Sequence, residues 1–321
     1  MNDSCAPAGD AGCGGPGSPA ADLSVTIAGV RFKNPVIAAS GTFGYGREYQ
    51  GLLDTAVLGG ICTKGLTLRP RPGNSGIRLH ETPSGLMNSI GLENPGIGAF
   101  IERELPALRE LGPAVIANLS GSSIEEYAEG AKLLAASSVD MIELNISCPN
   151  VKAGGMGFGL DPEAAGRVCA AVRGAAGNKP LMVKLSPNAP DLAAVARACI
   201  RAGADALSLV NTFKALALDI KRRQPVFDHI SAGLSGPAIR PIALRMVWEL
   251  WETAGVPIVG MGGIASAEDA LEFLAAGAAA VQVGSATFAR PAAMNEIIHG
   301  IAAYMDHFGM KKLSEISIRT R

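Results

Sequence analysis

Aromatic side chains are scarce: Phe, Trp and Tyr make up 5% of the 321 residues. That is poor material for stacking successive bases of a single-stranded nucleic acid. Neither sign of charge dominates, with 28 Lys+Arg against 29 Asp+Glu and a net charge of −1. A balance of that kind sets up no field to draw in nucleic acid or anionic lipid. Long apolar runs are missing as well. The nearest, Leu274 to Ala289, is rich in Ala and Gly and interrupted by Gln282, short of the roughly 18 strongly apolar residues of a membrane span. The six cysteines (Cys5, Cys13, Cys62, Cys148, Cys169, Cys199) include no CxxC pair and no Cys/His cluster at zinc spacing, so no metal site is expected. Four of them lie in apolar or motif-rich segments, which fits reduced thiols in a cytoplasmic protein.

What the chain has in excess is glycine, 40 residues, about 12% against a usual 7%. Such an excess points to tight turns and to places where backbone approaches a ligand closely. Hydrophobic residues reach 48%, enough for a large core. Residues 1–22, MNDSCAPAGDAGCGGPGSPAAD, are the exception, with almost no large apolar side chain. They are expected to form a flexible tail, with Cys5 and Cys13 as incidental thiols. The tail has no basic stretch followed by an apolar one, so it does not read as a secretory signal.

From residue 23 to 321 short β-branched runs alternate with Ala/Leu/Glu-rich helical stretches. Strands are expected at Val36–Ser40, Val57–Lys64, Ala114–Leu119, Met141–Ile146, Leu181–Leu185, Ala206–Val210, Ile258–Met261 and Ala280–Val283. Helical patterns such as Ser123–Ser137, Pro162–Ala176, Pro190–Ala202, Ala238–Ala254 and Ala267–Ala276 fall between them. Length alone would allow two domains, but eight strand–helix repeats form one (β/α)8 barrel, a TIM barrel. An open doubly wound sheet is disfavoured because no GxGxxG follows the first strand.

In such a barrel the C-terminal ends of the strands line the active site. Those ends carry Ser40, Lys64, Gly65, Asn118, Asn145, Cys148, Lys184, Val210, Asn211 and Thr212. Gly262-Gly263 and Gly284-Ser285 follow the seventh and eighth strands, the usual phosphate position. A lysine crowded into the mouth calls for an anionic partner, and Lys64 and Lys184 are two. Cys148 stands on a polar loop before Pro149, where a thiol can serve as a base near neutrality. Its flanking Asn145 and Asn150 offer donors and acceptors suited to a cyclic imide. Two long inserts on the catalytic face carry Asn88, Ser89, Ile90, Gly91 and Leu92 in one and Gly236 in the other.

LNISCPNVKAGG, NSIGLENPG, CTKGLT, VKLSPN, LVNTF, GLSGPAIRP, GMGGI and VQVGSATF stand together in one chain. In content and order they resemble the dihydroorotate dehydrogenases over residues 24–310. Cysteine at position 148 resembles class 1, and the CPNVKAGG and GLENPG segments resemble class 1B. The resemblance implies one FMN per chain, its phosphate at Gly262, Gly263, Gly284 and Ser285 with Gly236 close by. Its ring would meet Ser40, Lys64, Gly65, Asn118, Asn145, Lys184 and Val210. Dihydroorotate would be held by Lys64, Asn88, Ser89, Ile90, Gly91, Leu92, Asn145, Asn150, Asn211 and Thr212, with Cys148 as the base. The product is orotate, in pyrimidine biosynthesis. Electrons would pass to NAD+ through a partner subunit that alone carries FAD and a [2Fe-2S] cluster, around a homodimer core within a heterotetramer. The alternatives are a fumarate-linked class 1A enzyme and the pyrimidine-reducing part of a dihydropyrimidine dehydrogenase. A dihydrouridine-synthase-like tRNA modifier would need a basic surface, which the charge balance does not offer.

Overall fold

A computed structural model describes residues 21–147 and 155–319. Eight parallel strands close into a barrel: β1 (Val36–Ala38), β2 (Gly60–Cys62), β3 (Ala114–Leu119), β4 (Met141–Asn145), β5 (Leu181–Lys184), β6 (Ala206–Leu209), β7 (Ile258–Met261) and β8 (Ala280–Val283). They follow one another around the barrel in chain order, and β8 pairs with β1 at Gln282 opposite Ile37. All eight are buried along their length apart from the first residue of β3. That explains why they read as continuous apolar runs rather than alternating ones.

The outer helices begin where the sequence supplies caps. Helix α1 (Ile124–Ala136) starts on Ser123, whose side chain accepts from the Glu126 amide. Helix α2 (Pro162–Ala176) has Asp161 as cap and proline at its first position, where the missing N–H costs no hydrogen bond. Helix α3 (Leu192–Arg201) is capped by Asp191, two residues after the expected start. Helix α4 (Arg240–Ala254) follows a 3-10 turn at Pro237–Ile239, so the stretch expected from Ala238 divides in two. Helices α5 (Ala267–Ala275) and α6 (Ala293–His307) complete the ring against β7, β8 and β1. Five expected strands are shorter than the sequence implied, three of them (Met141–Ile146, Leu181–Leu185 and Ala206–Val210) by one residue at the C-terminal end. In place of one run from Val57 to Lys64 there is a 3-10 turn at Thr55–Val57 and then β2. The first strand stops at Ala38 instead of Ser40.

The lower end of the bore is stopped by hydrocarbon. A hairpin of Val25–Ile27 and Val30–Phe32 lies across it, and Ile27 and Phe32 pack on Ile37, Ile116, Met182 and Val259. These last four come from β1, β3, β5 and β7, one layer of the alternating interior of such barrels. Phe32 reaches in because Gly60 has no side chain; a Cβ there would lie 2.9 Å from its ring. The upper end is covered by a four-stranded antiparallel sheet that the sequence reading treated as two separate inserts. Its order is Phe213–Leu216, Ser231–Ser235, Gly85–Asn88 and Leu79–Thr82, with Asn88 opposite Gly233. Asp22, placed by composition in the tail, donates its amide to the Lys311 carbonyl at 3.0 Å. Among the described residues no helix is long and apolar enough to cross a membrane, and no group of His, Cys, Asp or Glu could hold a metal ion.

Candidate active site

The interior changes character on the alternate strands, where each inward residue is paired in register with one of the apolar layer. Cys62, Glu143, Ser208 and Gln282 come from β2, β4, β6 and β8, the other alternate set, and form a polar layer bonded around one carboxylate. Glu143 is wholly buried. Its Oε1 accepts from Ser208 Oγ at 2.8 Å and Gln282 Nε2 at 2.7 Å. Its Oε2 accepts from Asn118 Nδ2 at 2.5 Å and Cys62 Sγ at 3.2 Å. Lys184 Nζ lies 4.0 Å from the same oxygen. Burial pushes the Glu143 carboxyl up, but the Lys184 charge and the bonds from Gln282, Ser208 and Cys62 prevail, and it sits below the usual carboxylate value. Burial first, and then the Glu143 charge, drive the Cys62 thiol far above its ordinary range, so it is a neutral donor.

Above that layer the strands open into a cavity of about 1300 Å³, a volume that takes in open solvent at its mouth. On β1, β5 and β7 the next inward residues are Ala39, Lys184 and Met261; on β2, β4, β6 and β8 they are Lys64, Asn145, Val210 and Gly284, and all seven line it. The cover sheet and its loops add Leu79, Leu86, Asn88, Ile90, Gly91, Leu92, Ser235 and Gly236. Two features leave hydrogen-bonding capacity turned toward the space. Lys184 lines the cavity with its side chain only 5% exposed. Gln282 Oε1 is buried without a partner, because the Nε2 of the same amide is committed to Glu143.

Of the residues singled out from sequence, Ser40, Lys64, Gly65, Asn88, Ile90, Gly91, Leu92, Asn145, Lys184, Val210, Asn211, Thr212, Gly236, Gly262, Gly263, Gly284 and Ser285 all line this one cavity. Asn118 does not. It lies one step behind, bonded to Glu143 and accepting from Asn145 Nδ2 at 3.1 Å, so it orients Asn145 from below. Ser89 also turns away: it is 2% exposed and accepts from Asn74 Nδ2 at 3.0 Å, holding its loop rather than facing the space. Cys148 and Asn150 lie outside the described residues. Just before them, Ser147 donates to Asn145 Oδ1 at 2.9 Å and accepts from Asn211 Nδ2 at 2.8 Å, tying the loop after β4 to the loop after β6.

Glycine is required at the turns after β7. Gly263 has φ +77°, and a Cβ there would lie 2.8 Å from both the Gly236 carbonyl and the Arg240 side chain. Backbone therefore meets backbone at that wall, the geometry that lets amides approach an anion. At the opposite rim Lys64 Nζ is 3.7 Å from Glu93 Oε2, which also accepts from Arg78 Nη1 at 2.7 Å. The hydrogen bond from Arg78, followed by the charge of Lys64, holds the Glu93 carboxyl below its ordinary value.

The profile of the dihydroorotate dehydrogenase family matches residues 22–305. The chain belongs to the dihydroorotate dehydrogenase family. It is 57% identical over 295 residues to a protein of Petrotoga mobilis, covering 92% of this chain and 98% of the relative. A relative from Geotalea daltonii is 53% identical (92% and 97% covered), and one from Caldicellulosiruptor saccharolyticus is 52% identical (92% and 98%). All three are named dihydroorotate dehydrogenase B (NAD(+)), catalytic subunit. Within the family, the likeness is to the NAD(+)-linked form and not to the fumarate-linked alternative. Glu143, Ser208 and Gln282 were missed from sequence, although each is a polar residue flanked by apolar ones inside a buried strand, which is the signal that marks them.

Proposed function

We propose that this chain oxidises dihydroorotate to orotate in pyrimidine biosynthesis, using one bound FMN, and that NAD+ receives the electrons through a partner subunit carrying FAD and a [2Fe-2S] cluster. The observation that carries the reading is the pairing, in one cavity, of a buried Lys184 with a glycine-walled turn at Gly262 and Gly263. The residues present fit the cofactor. The orphaned Gln282 Oε1 offers an acceptor and Lys184 a cation at the polar floor, while the Gly263 wall, too crowded for a side chain, presents bare backbone to the cavity. Gly236, Gly262, Gly263, Gly284 and Ser285 would hold the phosphate; Ser40, Lys64, Gly65, Asn145, Lys184 and Val210 would hold the ring.

When bound, FMN supplies the two-electron acceptor for the hydride that leaves C6 of dihydroorotate. The protein's own contributions are binding and proton transfer. Lys64 attracts the substrate carboxylate, and Asn88, Asn145, Asn211 and Thr212 orient the imide with donors and acceptors in alternation. Asn145 is pre-set by Asn118 beneath it and by Ser147 beside it, so little ordering is left to the substrate. Ile90, Gly91 and Leu92 shield the substrate from water. Cys148 takes the proton from C5, so the oxidation balances as one hydride and one proton lost.

Two measurements test this. The chain purified alone should be yellow and release FMN on denaturation; FAD, or no flavin from folded protein, contradicts the reading. NAD+ reduction should appear only when the electron-transfer subunit is co-expressed. Robust NAD+ reduction by the chain alone would show that it needs no partner.

A further inference from the structure

We propose that Glu143 is a positioning residue whose negative charge keeps Lys184 an ammonium at the cavity floor, so that reduction of the flavin takes up a single proton. The inference rests on the FMN reading above. Glu143 is 0% exposed in the middle of the barrel, and nothing in a merely structural role calls for a carboxylate there. The layer beneath is plain hydrocarbon, and the same bore could have been filled that way. The donors around the carboxylate define its state. Asn118 and Gln282 each present an amide N–H₂, which cannot accept a proton from a carboxylic acid. With Ser208 and Cys62 they occupy four acceptor positions, a set that suits the ionised form.

Lys184 needs that charge. Its side chain is 5% exposed, and taking an ammonium out of water favours the neutral amine. Glu143 Oε2, at 4.0 Å, is the charge that opposes this. Among the described residues, the other titratable group bonded to the pair is Cys62, which is neutral. Ser208, Gln282, Asn118 and Asn145 carry no charge. If Lys184 is already an ammonium at rest, two electrons and one proton give the anionic reduced flavin beside it. If Lys184 rests as an amine, the developing negative charge draws a second proton onto its Nζ.

The experiment measures the two-electron midpoint potential of the bound flavin against pH, between about pH 7 and 9, below the ordinary lysine range and above the carboxylates. Wild type should take up one proton per electron pair. Glu143→Gln should double the slope, and its affinity for sulfite, an anion that adds to flavins next to a positive charge, should fall more than tenfold. Lys184→Gln introduced into that variant should restore the single-proton slope. Glu143→Asp keeps the charge and should keep the wild-type slope, which a packing role would not distinguish from Gln. An unchanged slope in Glu143→Gln overturns the proposal. Should that variant fail to fold, a two-proton slope in wild type or in Glu143→Asp overturns it equally, and single-proton slopes in both support it. Wild-type protein that holds no flavin defeats the preceding reading, and this one with it; a flavin-bearing wild type with the wrong slope defeats this one alone.

Discussion

The same eight strands build the lower half of the bore from hydrocarbon and the upper half from hydrogen bonds. Below, Ile37, Ile116, Met182 and Val259 meet Ile27 and Phe32 of the hairpin, and the contacts are non-directional. Above, Cys62, Glu143, Ser208 and Gln282 are joined by bonds of 2.7 to 3.2 Å, each of which fixes an orientation. The lower layer can be repacked at a modest loss of stability, whereas losing one partner in the upper layer leaves a buried polar group unpaired. Stability and chemistry are thus carried at different heights of one barrel, by alternate sets of its strands.

The sharpest separation should come from Cys148. Cys148→Ala is expected to keep its flavin and its fold while slowing flavin reduction by dihydroorotate about 10²–10⁴-fold, read by stopped-flow bleaching. A wild-type rate would make Cys148 a packing residue. The converse experiment is at the plug. Phe32→Ala should cost about 3–5 kcal/mol of unfolding free energy in a denaturant titration. Its turnover per folded molecule should stay near wild type, and a large loss of turnover there would erase the distinction between the two halves.

Between these lies the glycine wall. Gly263→Ala combines φ +77° with a Cβ 2.8 Å from the Gly236 carbonyl. Strain of about 1–3 kcal/mol corresponds to a roughly 5- to 150-fold loss of FMN affinity, measured as flavin retained through gel filtration. The smallest effect belongs to the exposed rim. Glu93→Gln frees Lys64 from its counter-ion and should tighten orotate binding by about fivefold at most, an effect that added salt removes. Because the Glu93 carboxyl titrates below its ordinary value, the difference from wild type persists at neutral pH. It should vanish as pH falls through that lowered value, where protonated Glu93 behaves as Gln does.

The barrel was legible in the sequence because buried parallel strands write themselves as short β-branched runs with capped helices between. The cavity was legible too, since strand ends such as Asn145 and Lys184 can be read by position alone. The cover sheet was not, because Asn88 pairs with Gly233 across 145 residues and neither strand exceeds five residues. Glu143 was overlooked for a different reason. One acidic residue in MIELN looks like an imperfection in an apolar strand until its partners Ser208 and Gln282, on other strands, are placed around it. The resemblance put Asn118 in contact with the ring. In the structure its amide is bonded to Glu143 and accepts from Asn145, partners on the neighbouring strand that position alone does not reveal.

The account is tested most directly by adding dihydroorotate, without oxygen, to the purified chain carrying its own flavin. It predicts that the yellow colour bleaches with one orotate formed per flavin, and that no electrons reach NAD+ until the partner subunit is added. Flavin that stays oxidised in the presence of excess dihydroorotate would contradict it.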